Sequence, residues 1–170
     1  MSADAVMPLG VVIERRATRH QWQDDLWRPV GVLPPATGEP GKLLAQGEDW
    51  AQFHGGTLNL ELFRGETEGY RSNLSQDVPM IYVVLRKSEA PAGLEFQPFM
   101  ITACPYEAMG YTEDNDDFVE GVPMPPDVIE WVREFVTLHH VDTPFVKRKN
   151  RRKDDHLDRP PPAAGPRSLS

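Results

Sequence analysis

The residues whose types could do chemistry fall into a few groups. Cys104 is followed by Pro105, a residue suited to a first helical turn, and backbone amides at a helix N-terminus would lower the thiol pKa and favour a thiolate. A lone cysteine with no histidine nearby in sequence is more simply a small buried hydrophobe, so it is given no catalytic role. Glu66 and Glu68 lie in "LELFRGETEGYRSNLSQDVPMIYVVLRK" (Leu60 to Lys87). An acid/base pair there would need burial to separate the two pKa values, and this polar stretch offers none. The histidines are His20, His54, His139, His140 and His156. Adjacent His139 and His140 point in different directions on a helix and do not form the i, i+4 pair of a zincin. "YTEDNDDFVEG" carries Glu113, Asp114, Asp116, Asp117 and Glu120 without the glycine and glutamate spacing of a calcium loop, so it reads as a solvated acidic loop.

Nucleotide chemistry finds no support. Gly55–Gly56 in "HGGTLNL" precede a strand rather than joining a strand to a helix, so a turn is expected there, not a phosphate cradle. The chain has no GxGxxG fingerprint, Walker motif or GxSxG elbow. No catalytic residue, metal ligand or cofactor is expected.

The elements that would position these residues are mainly strands. "LGVVIERR" from Leu9 and "RPVGVLP" from Arg28 are short β-branched runs, the second closed by Pro34–Pro35. Leu58, Leu60 and Leu62 alternate with Asn59, Glu61 and Phe63, the period of a strand with one apolar face. "PMIYVVLRK" from Pro79 is nearly continuous in apolar residues, as expected of a central strand, and Pro98 in "FQPFMITA" favours an edge or a bulge. "KLLAQGEDWAQF" has no readable character. One sheet of about five strands is expected on ordinary sheet sizes.

The clearest helix is "PPDVIEWVREFVTLHH", with Asp127 as cap, Glu130 completing the capping-box spacing, and an apolar stripe of Val128, Trp131, Val132, Phe135, Val136 and His139. A shorter one is expected at "CPYEAMGY", ending at Gly110. Between the strands at Leu60 and Pro79, Gly65 and Gly69 argue for a turn or short helix.

Composition bounds the class. A chain of 170 residues, 39% hydrophobic and 26% charged, suits one globular domain, and its 17 prolines imply many loops. A single cysteine excludes an internal disulfide framework and points to a reducing compartment. No apolar run could span a bilayer, and the N-terminus lacks a secretory pattern, so the cytoplasm is the expected location. Arg15–Arg16 does not make a twin-arginine signal, because polar residues follow.

The net charge of -8 hides an asymmetry. Residues 147–170 hold eight basic residues against three aspartates, a net +5, which leaves -13 for residues 1–146. Lys147, Arg148, Lys149, Arg151, Arg152 and Lys153 fill six of seven positions, without interleaved aromatics and beside an acidic body that would repel phosphate, so protein docking is favoured over nucleic acid. The expected organisation is a flexible N-terminus over 1–6, a single domain over 7–146, and a basic, Pro-rich disordered tail over 147–170. The fold class is α+β: a mainly antiparallel β-sheet with a C-terminal amphipathic helix and short helical turns. The charged loop after Leu60, with Arg64, Glu66, Glu68, Tyr70 and Arg71, together with the basic run, is the expected recognition surface for a partner protein, a bland alternative being local ion pairs such as Glu68 with Arg71.

"MPLGVVIERR", "WRPVGVLP", "FHGGTLNLELFRGETEGYRSNLS", "VPMIYVVLR", "ITACPYEA", "VPMPPDVIEWVREFV" and "HHVDTPFVKRK", in this order, resemble a bacterial family of unknown function, domain of unknown function 3305. The resemblance implies association with formate dehydrogenase gene clusters. That suggests a non-catalytic accessory or maturation protein of a molybdenum enzyme, whose partner is a formate dehydrogenase subunit or assembly factor. Two alternatives follow: a molybdenum-cofactor (molybdopterin guanine dinucleotide) or nucleotide-handling enzyme, for which "LGVVIERRATRH" lacks the Gly-rich loop, and a nucleic-acid-binding regulator.

Overall fold

A computed structural model describes residues 2–18, 25–35, 39–87, 94–112 and 117–141. They form seven strands and three helices: β1 Ala5–Arg16, β2 Leu26–Leu33, β3 Leu43–Gln46, β4 Trp50–Leu62, α1 Thr67–Leu74, β5 Met80–Lys87, β6 Phe96–Thr102, α2 Pro105–Thr112, β7 Asp117–Pro123 and α3 Pro126–His139. A single 3-10 turn, Arg64–Glu66, leads into α1. One compact unit covers Met1–His140. The architecture is α+β and mostly antiparallel, but instead of one sheet there are two, ordered β2-β1-β4-β3 and β6-β5-β7. β4 lies against β6 and β2 against β7, so six of the strands wrap around one interior.

Alternation explains the interior. Leu9, Val11 and Ile13 of β1, Leu60 and Leu62 of β4, and Ile81, Val83 and Leu85 of β5 all point inward and are buried. A fully buried aliphatic side chain of this size contributes about 1.5–3 kcal/mol. β5 is central, as its apolar run demands, and Pro98 sits on β6 at a sheet edge, beside a slip in the register between Val84 and Leu85. The first strand starts earlier than the expected flexible segment 1–6 allows. Ala5 already pairs with Leu62, and the Asp4 amide donates to the Leu62 carbonyl at 2.9 Å.

Three local expectations are corrected. Gly55–Gly56 make no turn before a strand: both lie inside β4, where one extra residue opposite Gly10–Val12 makes a bulge and Gly56 takes φ +111°. Asp127 does not cap α3. Pro125 holds the N-cap position and Pro126 the first helical one, where a fixed φ and a missing N–H cost nothing, so Asp127 falls inside the first turn. Glu130 bonds to Arg133 rather than to a cap amide. α2 does not end at Gly110 but runs to Thr112.

α3 buries Val128, Val132 and Phe135, spaced i, i+4, i+7. Phe135 meets Tyr70 of α1 edge-on, with ring centroids 6.1 Å apart. No helix among the described residues is long and apolar enough to cross a membrane. The basic run Lys147–Lys153 and the rest of 142–170 lie outside the described residues.

Candidate functional site

The charged loop after Leu60 becomes the meeting point of all three helices. α1 is polar in sequence, yet Thr67, Gly69, Tyr70 and Asn73 are buried in it. Each of the last three has a distinct reason. Asn73 satisfies all of its hydrogen-bonding capacity: Nδ2 donates to the carbonyls of Met80 (2.7 Å) and Ala103 (2.8 Å), while Oδ1 accepts from the Met80 amide (2.9 Å) and Gln76 Nε2 (3.1 Å). It thereby pins α1 to β5 and to the end of β6. Gly69 lets α2 approach, since a Cβ there would come within 2.5 Å of Cys104 Sγ and 3.3 Å of Tyr106 Cδ2.

Tyr70 is fully buried and so cannot touch a partner, contrary to the expectation that it forms part of a recognition surface. Its hydroxyl accepts from the Phe63 amide (2.9 Å) and donates to Glu66 Oε2 (3.3 Å). Burial, chiefly, pushes its pKa above the ordinary tyrosine value.

Glu66 is half-buried, which the polar sequence around it did not foretell. Burial first, then the neighbouring Glu107 charge, raise its pKa above the ordinary 4.5, while the bond from Tyr70 opposes the shift. Glu68 is exposed, so the two carboxylates do not share an environment and form no acid/base pair.

Cys104 does stand at the start of α2, where its carbonyl accepts from the Ala108 amide at 3.1 Å, and the backbone amides of Glu107 and Tyr106 act to lower its pKa. Its own amide donates to Thr102 Oγ1 at 3.0 Å. Burial raises the thiol pKa and outweighs the amides, in keeping with the expected small buried hydrophobe and not with a thiolate. Cys104 is a packing residue under Gly69.

Exposed groups frame this junction. Arg64 is tied to Asp4, whose Oδ2 accepts the Arg64 amide at 2.8 Å. Arg71 Nη1 donates to His140 Nε2 at 2.7 Å, leaving Nδ1 to donate to Thr67 Oγ1 at 2.9 Å. His140 therefore links the end of α3 to α1, a role its place in the sequence did not reveal. Tyr106 and Met109, one helical turn apart on α2, are 58% and 64% exposed. They were not singled out in the sequence, and the signal that could have found them is their i, i+3 spacing on a short helix.

The acidic stretch divides. Asp117 belongs to the fold: Arg86 donates to both its oxygens at 2.8 and 2.9 Å, while its guanidinium lies 3.6 Å from the centre of the Phe99 ring. Those bonds hold the Asp117 carboxyl below the usual range. Glu120 Oε2 lies 3.8 Å from Arg28 Nε across the β2–β7 boundary. Glu113, Asp114 and Asp116 are outside the described residues. Among those described, no three His, Cys, Asp or Glu side chains are grouped to hold a metal.

Fold and junction together define a small α+β protein whose buried polar side chains brace its helices, with exposed apolar and acidic groups around them. The chain belongs to the family described as protein of unknown function (DUF3305), whose model matches residues 8–149. No curated protein and no solved structure matches it.

Proposed function

We propose that this chain is a non-catalytic accessory or maturation protein that works by binding another protein through the α1–α2 face. The observation that carries the reading is the exposure of Tyr106 and Met109, a large aromatic and a flexible thioether, beside the carboxylates of Glu66, Glu68 and Glu107. Aromatic and methionine side chains are enriched in the cores of protein interfaces, and a charged rim sets partner choice. The complementary surface is an apolar groove edged by lysine or arginine. Arg64, Glu68 and Arg71 belong to the rim, and Tyr70 stiffens the face from beneath. The partner we propose, on what the family resemblance implies, is a subunit or assembly factor of a molybdenum-dependent formate dehydrogenase.

The test is affinity isolation from cells making that enzyme, at low and moderate salt, with wild type, with Tyr106→Ala/Met109→Asp, and with a chain lacking 147–170. Recovery of the dehydrogenase or its assembly factors by wild type and its loss in the double variant are expected. Loss on truncation would add a docking role for the basic run. Equal recovery by the double variant would move the contact elsewhere. Stoichiometric binding of a guanine nucleotide or a pterin would favour an enzyme instead, and DNA binding that falls steeply with salt would favour a regulator.

A further inference from the structure

β3 departs from the rest of the sheets. Its residues are all exposed, Leu43 by 45% and Leu44 by 40%, and it pairs with β4 alone. Among the described residues the other edges are approached by a second strand, β2 by β7 and β6 by β4, so β3 is the strand whose far side meets none. Backbone direction follows from the neighbouring bonds. The Lys42 carbonyl accepts from the His54 amide at 2.8 Å, and the Gly47 amide donates to the Trp50 carbonyl at 2.9 Å. Alternation then turns the peptide groups of Leu43 and Gln46 away from β4.

A cleft of about 260 Å3 opens where β3 ends, lined among others by Arg15, Asp25, Gln46, Glu48, Asp49 and Trp50. Its arginine is already engaged, 3.8 Å from Asp25 and close over the rings of Trp27 and Phe53. Glu48 and Asp49 are exposed and have no cationic partner among the described residues, and the Trp50 indole lies against Gly47 beside them. Two carboxylates and an indole suit one ammonium or guanidinium group.

We propose that β3 is a docking edge for an extended segment of a partner protein. The segment adds as a fifth strand antiparallel to β3 and seats a lysine or arginine beside Glu48 and Asp49. Because β3 runs toward the cleft, an antiparallel segment enters from that end, so the basic residue precedes its apolar ones. Main-chain bonds to Leu43 and Gln46 supply affinity, the leucines supply apolar contact, and the cleft sets register and direction. This surface is separate from the α1–α2 face, and neither proposal depends on the other.

The full chain is titrated with a labelled peptide of two arginines followed by alternating valine and threonine, read by fluorescence anisotropy and by amide hydrogen exchange. Saturable binding weakened by salt, with new protection at Leu43 and Gln46, is expected. Leu43→Pro removes an outward N–H while sparing the β4 ladder and should weaken binding about fivefold, the worth of one backbone hydrogen bond. Should that variant not fold, Glu48→Lys/Asp49→Lys, at exposed positions, should weaken binding about tenfold and abolish its salt dependence. No protection at 43–46, or affinity unchanged by the charge reversal, overturns the proposal. So does protection that grows with protein concentration and without peptide, which would assign the edge to a second copy.

Discussion

α1 and β3 invert the usual relation between composition and burial. "TEGYRSNL" is polar and half of it is buried, whereas "LLAQ" is largely apolar and wholly exposed. The difference lies in partners. Every buried polar group of Asn73 meets a complementary backbone or side-chain group, and Tyr70 likewise finds the Phe63 amide and Glu66, so α1 loses little by leaving water. Among the described residues β3 has β4 on one side and no strand on the other, and its leucines keep much of their surface in water. In these two segments burial follows the supply of partners, not the polarity of the local sequence.

The comparison is most exposed to failure at Asn73. Asn73→Ala strands the carbonyls of Met80 and Ala103 and the Met80 amide in one step, and should cost about 3 kcal/mol in urea unfolding. A loss under about 1 kcal/mol would mean that α1 is held by its apolar contacts and that its polar residues are passengers.

Gly69→Ala is next. In an exposed helix the change would gain about 1 kcal/mol, but here the new Cβ meets Cys104 Sγ at 2.5 Å, so overpacking reverses the sign to a net loss of about 1.5 kcal/mol. In a Cys104→Ala background the nearest obstacle is gone, and the penalty should fall by more than half. A cycle with no coupling would show that α2 slides freely over α1.

How much of this was legible depends on where each partner comes from in the chain. Leu58, Leu60 and Leu62 announce β4, and the run at Met80 announces a central strand, because strand period and composition are local properties. The stripe Val128, Val132, Phe135 is local too. β3 was unreadable in "KLLAQGEDWAQF" because four residues carry no period. The division into two sheets could not be read from strand patterns, which say which face is apolar but not which strands pair. The junction was half legible. The region Arg64–Arg71 stood out by charge, but Tyr70 looked like a surface residue because its depth is set by Phe135, 65 residues away, and the His140 link to Thr67 spans 73 residues. Cys104 was legible as a small buried hydrophobe, since it has no histidine nearby in sequence, but the tertiary burial that outweighs its helix-start position was not.

Glu66 sharpens the comparison through pH. Its folded pKa is raised above the ordinary value of 4.5, by burial and then by Glu107, so the fold favours the protonated form. Its contribution is fully present below that ordinary value and is lost as pH rises through the higher folded one. Glu66→Gln removes this loss. Unfolding free energy measured from about pH 4 to about pH 7 should fall less in the variant than in wild type. Parallel curves would mean that water reaches Glu66 as freely as it reaches Glu68.

The smallest effect is expected on β3, and it tests the other half of the inversion. Leu44 sits at the slip between Leu43 and Ala45 and is 40% exposed, so in Leu44→Lys the aliphatic stem can cover the same surface while the ammonium reaches water, and no bond to β4 breaks. The stability change should stay within about 0.5 kcal/mol, the range of ordinary surface substitutions. A loss above about 1 kcal/mol would show that the leucine is covered in the free protein. β3 would then be an ordinary part of the core, and the contrast with α1 would disappear. A neutral result joined to weaker binding of the arginine-led peptide would separate the two roles a leucine can have. It would place Leu44 among residues kept apolar for contact with another chain, not for the fold.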